Sequence, residues 1–331
     1  MYHGIINVYK EKGWTSFDVV AKLRGICGQQ KIGHTGTLDP DAEGVLPVCL
    51  GNATKISGML TDRDKTYRAV LLLGVDTDTQ DITGQVLKEH DTDDITEEMV
   101  RDTIAGFVGE QEQIPPMYSA LKVDGKKLYD LARKGQTVPR DPRNITIYEI
   151  EINQIELPRV TMTVSCSKGT YIRTLCHDIG EKLGCFGTME QLTRLSSAGF
   201  EIEDALRLDD IMRLQEEGRL AVCIHPVEEM FSDSPAVCTK KSADRLLYNG
   251  NRIPAGQIEG SLPEDSQIRM RDSAGVFCGI YRCDDPDQGC YPVRMFFCRI
   301  KVQWTETEHE IFQRHNGFHY SGTIRDRSWK V

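Results

Sequence analysis

The segment spanning residues 33–48, GHTGTLDPDAEGVLPV, breaks an apolar run with an Asp-Pro step, one histidine and three glycines. Glycine opens backbone conformations closed to other residues, and Pro40 drives Asp39 away from the helical region towards an extended one. One carboxylate, Asp39, is thereby held in a specified loop geometry beside His34, an arrangement worth building where the carboxylate reacts. Spacing tests the rival chemistries. Asp39, Asp41, Glu43 and Gly44 fill positions 1, 3, 5 and 6 of an EF-hand-like loop, but position 12, which must be a bidentate acid, is Leu50. The run Asp76-x-Asp78-x-Gln80 fails in the same way, with Asp81 where glycine is required. A two-carboxylate hydrolase would pair Asp39 with Asp41 or Glu43; nothing else supports it, and turn or surface roles suit those acids better.

Two companions change the weight of Asp39. Arg173 falls in the opening turn of a helix expected over residues 171–183, where the macrodipole disfavours a cation. An arginine so placed meets an anion, either a carboxylate or a phosphate. Tyr67, in KTYRAV, lies on an expected strand, where an aromatic ring by itself signals only packing.

The elements that must hold these groups are legible from periodicity. Thr15 and Ser16 supply cap chemistry for a helix whose apolar positions Val19, Val20, Leu23, Ile26 and Cys27 recur up to Gly28. Residues 66–73 read as a strand, followed by the polar turn VDTDTQDITG. Thr96 caps a second helix with Val100, Ile104, Phe107 and Val108 facing inward. The alternation Ile145, Ile147, Ile150, Ile152, Ile155, Leu157 has two one-residue slips, which predicts a long bulged strand. Val160, Met162 and Val164 make the next strand, and a helix then buries Ile172, Leu175, Cys176, Ile179 and Leu183. Strands and helices without regular β-α-β alternation predict an α+β fold. Beyond about residue 233 short strands at 268–271, 276–282 and 293–302 suggest a small β-barrel.

Bulk properties exclude several classes. The 331 residues allow one large domain and a smaller one, and no apolar run is long enough to span a membrane. The first residues, MYHGIINVYKEKG, lack a signal-peptide pattern, so a cytoplasmic location is expected. The odd count of eleven cysteines, the length and the absent signal pattern argue against a disulfide framework; Cys278, Cys283, Cys290 and Cys298 fit no zinc-site spacing and read mainly as small apolar residues on strands, with a weak metal site as the alternative. The net charge of −10 is unevenly spread: residues 89–112 carry −8 and residues 201–233 carry −7, but residues 122–143 carry +4. An acidic protein with one basic segment can grip a polyanion locally.

Five stretches, in order, resemble motifs of the bacterial TruB tRNA pseudouridine synthases. They are Asn7-x-x-Lys10-x-x-Gly13-x-Thr15-Ser16, GHTGTLDPDAEGVLPVCLGNATK, KTYRA, IPPMYSALKVDGKKLYDLAR and CSKGTYIRTL, and they span about the first two-thirds of the chain. One departure is Glu11, where the family usually has proline after the lysine. The resemblance implies a pseudouridine synthase fold, with a central mixed sheet flanked by helices and a small C-terminal PUA-like β-domain. It places the catalytic domain at 1–233, the PUA-like RNA-binding domain at 234–302, and an extension of unassigned structure at 303–331. It implies isomerisation of uridine 55 in the tRNA T loop to pseudouridine, without metal or organic cofactor, by a monomer whose partner is the T stem-loop.

By the same resemblance Asp39 is the catalytic aspartate, Tyr67 the stacking platform and possible proton acceptor, and Arg173 the partner of Asp39. His34 occupies space vacated by the flipped nucleotide, and Leu192 lines the pocket. The basic segment about 122–143 closes over RNA, with Lys122, Lys126, Lys127, Arg133 and Lys134 as its contacts. The alternative is a tRNA-binding and folding protein of the same fold in which catalysis is secondary or lost; the intact set Asp39, Tyr67 and Arg173 favours the enzyme.

Overall fold

A computed structural model describes residues 1–296 apart from Ala120 and Asp124, with only the backbone of Lys122, Lys126 and Lys127. The extension at 303–331, the end of the strand expected at 293–302, and Cys298 lie outside the described residues. The chain divides into two compact units, Met1–Ser234 and Pro235–Val331.

The first unit is built on a nine-stranded sheet. In chain order its elements begin β1 (Gly4–Lys10), α1 (Ser16–Cys27), β2 (Ile32–His34), β3 (Glu43–Leu50) and α2 (Ser57–Thr61). Next come β4 (Lys65–Leu73), β5 (Val75–Thr77), β6 (Val86–Glu89), α3 (Glu97–Ala105), β7 (Gly109–Gln113), β8 (Lys122–Val123), β9 (Lys126–Lys127) and α4 (Leu128–Ala132). The unit ends with β10 (Arg143–Glu156), β11 (Arg159–Cys166), α5 (Ile172–Leu183), β12 (Gly187–Ser197), β13 (Phe200–Glu201) and α6 (Leu208–Glu216). The main strand order is β1-β3-β12-β4-β11-β10-β7, with β2 on β3 and β13 on β12, while β5 pairs with β6 and β8 with β9 as separate hairpins. Every pairing in the nine-stranded sheet is antiparallel except β3 with β12, where Thr193 faces Glu43 and Arg194 faces Gly44 in parallel register.

Capping explains where the helices start. Thr15 and Asp18 form a reciprocal capping box at α1, and Gly28 closes that helix in the left-handed conformation. Thr96 accepts from the Met99 amide at α3. The two slips expected in the long strand are register shifts in β10 against β11, between Ile147 and Glu149 and between Ile152 and Gln154. One expectation fails: Phe107 packs on the core, but Val108 is exposed because the chain has already left α3 and turned towards β7.

Two apolar cores result. One gathers Leu38, Ala42, Tyr67, Ala69, Ile172, Leu175 and Leu192 with residues of α3, β10 and β11. The other packs α1 and α6 on β1, β2 and β3. The second unit carries β14 (Ala236–Thr239), α7 (Asp244–Tyr248), β15 (Ile258–Glu259), β16 (Ser266–Arg271), β17 (Phe277–Asp285) and β18 (Gly289–Met295) in a five-stranded sheet ordered β15-β14-β16-β17-β18. Cys278, Cys283 and Cys290 are buried in its core as apolar side chains.

Candidate active site

Residues 34–45 form a loop whose backbone is fastened from several sides. The Ser16 hydroxyl accepts from the Leu38 amide at 2.9 Å and donates to the Leu38 carbonyl at 3.2 Å. The fully buried Lys10 ammonium donates to the carbonyls of Glu11, Pro40 and Ala42. Burial lowers the Lys10 pKa to about 8, against the pull of Asp39. The Gly13 amide reaches the Pro40 carbonyl, and the Arg194 guanidinium reaches those of Gly36 and Val45. The motif Lys10-x-x-Gly13-x-Thr15-Ser16 thus serves the loop that carries Asp39, although the two are about 30 residues apart.

At the tip Asp39 stands 3.2 Å from a guanidinium nitrogen of Arg173, with its side chain 42 % exposed. Arg173 is nearly buried at the start of α5, and its other terminal nitrogen meets Asp81 at 3.2 Å. It also donates to the carbonyls of Thr79 and Tyr118. Three other chain segments converge on this one side chain. The turn that leads into α5 is itself pinned by Gln113 of β7, which donates to the Tyr171 carbonyl at 3.0 Å and accepts from its amide at 2.8 Å. Burial pushes the Asp39 carboxyl above the ordinary carboxylate range; Arg173 and Lys10 oppose that shift, while Asp81 and Asp41 add to it.

Tyr67 is 9 % exposed in the same core cluster as Leu38 and Leu192. Register places it opposite Arg194 of β12, with Ala69 opposite Leu192. Tyr67, Leu192 and Arg194 therefore share one face next to the Asp39 loop. His34 ends β2, and its Nδ1 accepts from the Gly36 amide at 3.3 Å, which leaves the ring proton on Nε2. Burial and the nearby Arg194 charge both lower its pKa, so the ring is neutral.

In the basic segment, β8 and β9 form a two-stranded hairpin leading into α4, and the side chains of Lys122, Lys126 and Lys127 lie outside the described residues. Arg133 and Lys134 are exposed, and the Arg133 guanidinium lies 5.4 Å from the centre of the Tyr129 ring. Just ahead of this segment, the Tyr118 carbonyl accepts from Arg173, the same side chain that pairs with Asp39. Asp41 and Glu43, the acids weighed for a hydrolase pair, point elsewhere: Asp41 to Lys12 at the surface and Glu43 to Thr193.

The second carboxylate of the site is Asp81, which sequence reasoning passed over as part of a polar turn. Its signal was present, since VDTDTQDITG holds more acids than a turn needs, but nothing in the spacing ties it to residue 173. Lys10, Gln113 and Arg194 were likewise missed as functional residues, because each works through a carbonyl or a neighbouring side chain that only the fold brings near.

The sequence and the fold also match known proteins. Residues 24–172 match the model of the TruB family pseudouridylate synthase N-terminal domain, and residues 173–232 that of the tRNA pseudouridylate synthase B C-terminal domain. A tRNA pseudouridine synthase B of Lachnoclostridium phytofermentans is 50 % identical over 307 residues, covering 89 % of this chain and 99 % of that protein. One of Geotalea uraniireducens is 53 % identical over 273 residues, covering 81 % and 87 %. Among solved structures, one described as an H/ACA RNP bound to a substrate RNA containing 2'-deoxyuridine superposes with a TM-score of 0.68 at 25 % identity, covering 90 % of this chain and 86 % of its own. A Cbf5-Nop10-Gar1 complex gives a TM-score of 0.68 at 26 % identity, with coverage of 88 % and 84 %.

Proposed function

The chain belongs to the TruB family of pseudouridylate synthases, and from that premise we propose that it isomerises uridine 55 in the T loop of tRNA to pseudouridine, with Asp39 as the reacting carboxylate. The observation that carries the reading is the half-buried Asp39 carboxylate 3.2 Å from Arg173, in a fastened loop beside Tyr67.

A stacked uridine cannot reach Asp39. It must be flipped out at a cost of a few kcal/mol, and stacking on Tyr67 offsets that by roughly 1–3 kcal/mol. Leu192 supplies apolar wall beside the base, and neutral His34 fills the space that the base leaves without adding charge. Arg173 favours the ionised form of Asp39, in which it can act as nucleophile or base, while its burial makes that carboxylate more basic than one in water. The glycosidic bond breaks, the uracil turns, and carbon 5 bonds to the ribose. No atom is gained or lost, and the reaction as proposed uses neither metal nor organic cofactor.

The protein works as a monomer in the cytoplasm on the T stem-loop. Residues 1–233 form the catalytic domain, residues 122–143 close over the RNA, and the five-stranded unit acts as a PUA-like RNA-binding domain. Among the described residues no helix is long and apolar enough to cross a membrane. The test is incubation with an unmodified tRNA transcript in EDTA, followed by mapping of pseudouridine. Product at position 55 is expected, and Asp39→Asn should bind the same RNA without forming product. Bound but unmodified RNA with the unaltered protein would instead favour a tRNA-folding role.

A further inference from the structure

Arg194 is among the largest fully buried side chains of the protein, 1 % exposed on β12. Among the described residues no carboxylate stands within ion-pair distance of it; its partners are the Val45 carbonyl at 2.6 Å and the Gly36 carbonyl at 3.2 Å. A lone buried cation is expensive, and an apolar side chain would fill such a site at lower cost. Its position explains what it could do there. Gly36 and Val45 lie at either end of the segment that carries Asp39, and the third neighbour of the guanidinium is the phenol of Tyr67, directly opposite in the β4–β12 register.

We propose that Arg194 is the positioning residue for Tyr67: it holds the phenol oxygen beside the flipped base and stabilises the negative charge that oxygen carries as proton acceptor from carbon 5. This rests on the reading of the site given above. The step follows formation of the new carbon–carbon bond. The carbon 5–hydrogen bond breaks and the proton passes to the phenolate, which becomes a phenol. The electron pair restores the ring double bond between carbons 5 and 6, and the displaced charge reaches nitrogen 1, which takes a proton from water. The hydroxide formed then takes up the phenol's proton.

The surroundings make a cation necessary. Burial drives the Tyr67 phenol away from ionisation; Arg194 opposes this, and Cys166 on β11 and Asp39 in the loop add to the burden. Lys65 and Lys10 also face this region, their pKa values lowered by burial to about 8, together with His34, whose pKa is lowered as well. Arg194 is the cation that bears directly on the phenol.

The experiment is the single-turnover rate of pseudouridine formation from about pH 6 to pH 10, with RNA affinity measured alongside, for the unaltered protein, Arg194→Gln, Arg194→Lys and Tyr67→Phe. The unaltered protein should show a limb rising with pH that Tyr67→Phe abolishes. Arg194→Gln should move that limb upward by about one pH unit or more, with a rate near neutrality down about tenfold and little change in RNA affinity. Arg194→Lys should give a smaller shift in the same direction, because it keeps the charge but replaces the guanidinium's fixed planar fork with a compact ammonium on a flexible stem. A limb that stays in place in both variants overturns the proposal and leaves Arg194 a packing residue. Should Arg194→Gln not fold, the lysine variant decides alone. Absence of a Tyr67-dependent limb in the unaltered protein overturns the assignment of Tyr67 as proton acceptor, and the proposal with it, while tRNA pseudouridylation through Asp39 stands.

Discussion

Asp39 and Asp81 share one arginine: each carboxylate stands 3.2 Å from a different terminal nitrogen of Arg173. Asp81, the more buried of the two, fixes the plane of the guanidinium, and Asp39 meets the edge that remains. Asp81→Asn should therefore leave RNA binding nearly intact and lower the single-turnover rate by roughly 10- to 100-fold, the usual effect of a misplaced catalytic group. An unchanged rate would show that Thr79 and Tyr118 hold Arg173 unaided.

The raised pKa of Asp39 has a sign that can be tested. A carboxyl whose pKa is higher folded than unfolded stabilises the folded state below its unfolded pKa of 3.8, and that contribution is lost as pH rises through the folded value. At neutral pH the ionised group is a cost. Asp39→Asn should raise Tm at pH 7, and the gain over the unaltered protein should shrink as pH falls towards 4. Equal Tm values at both pH extremes would mean that the pair with Arg173 cancels the effect of burial.

Tyr67 combines a ring and a hydroxyl, and two substitutions separate them. Tyr67→Phe should keep RNA affinity and slow turnover to a residual rate without the rising pH limb. Tyr67→Leu should lose turnover and also weaken binding of substrate RNA by about 1–3 kcal/mol, the worth of one stacked base. Equal affinities for the two variants would remove the ring from base recognition.

Neutralising Lys126, Lys127, Arg133 and Lys134 together should weaken binding and flatten the dependence of log affinity on log salt by about 0.7–0.9 for each phosphate that these side chains neutralise. Filter binding across a salt series measures both. A parallel line displaced downward would place the phosphate-binding groups elsewhere.

Gly44 has a φ of +103°, and a Cβ there would lie 2.3 Å from the Arg194 carbonyl oxygen. Gly44→Ala combines backbone strain with a collision between two main chains, neither of which can move alone. Thermal unfolding should show a loss of about 3 kcal/mol or more. A Tm within a few degrees of the unaltered protein would mean that β3 and β12 can separate locally.

The local features of the fold were legible in sequence because local physics writes them. Thr15 and Thr96 announce helix starts, and the slips among the isoleucines of residues 145–155 announce the bulges of β10. Asp39 stood out for the same reason, since proline and glycine around it specify a loop. The relations that sequence could not give join distant residues. Arg173 to Asp81 is a matter of where the turn after β5 folds back, and Arg194 to Tyr67 is a matter of strand register. Lys10 reads as an ordinary lysine in a motif until the sheet brings the Pro40 and Ala42 carbonyls over it. Residues 303–331 carry no periodicity that physical reasoning could convert into structure.

The parallel pairing of β3 with β12 also has a consequence in time. It joins Gly44 to Arg194, about 150 residues later, so the pairing that ties down the Asp39 loop closes over one of the longest loops in the unit. On the ribosome the carboxylate segment emerges about 150 residues ahead of its β12 partner, so its final restraint cannot form until β12 has left the exit tunnel. A nascent chain that lacks β12 therefore carries Asp39 without the strand pairing that restrains its loop.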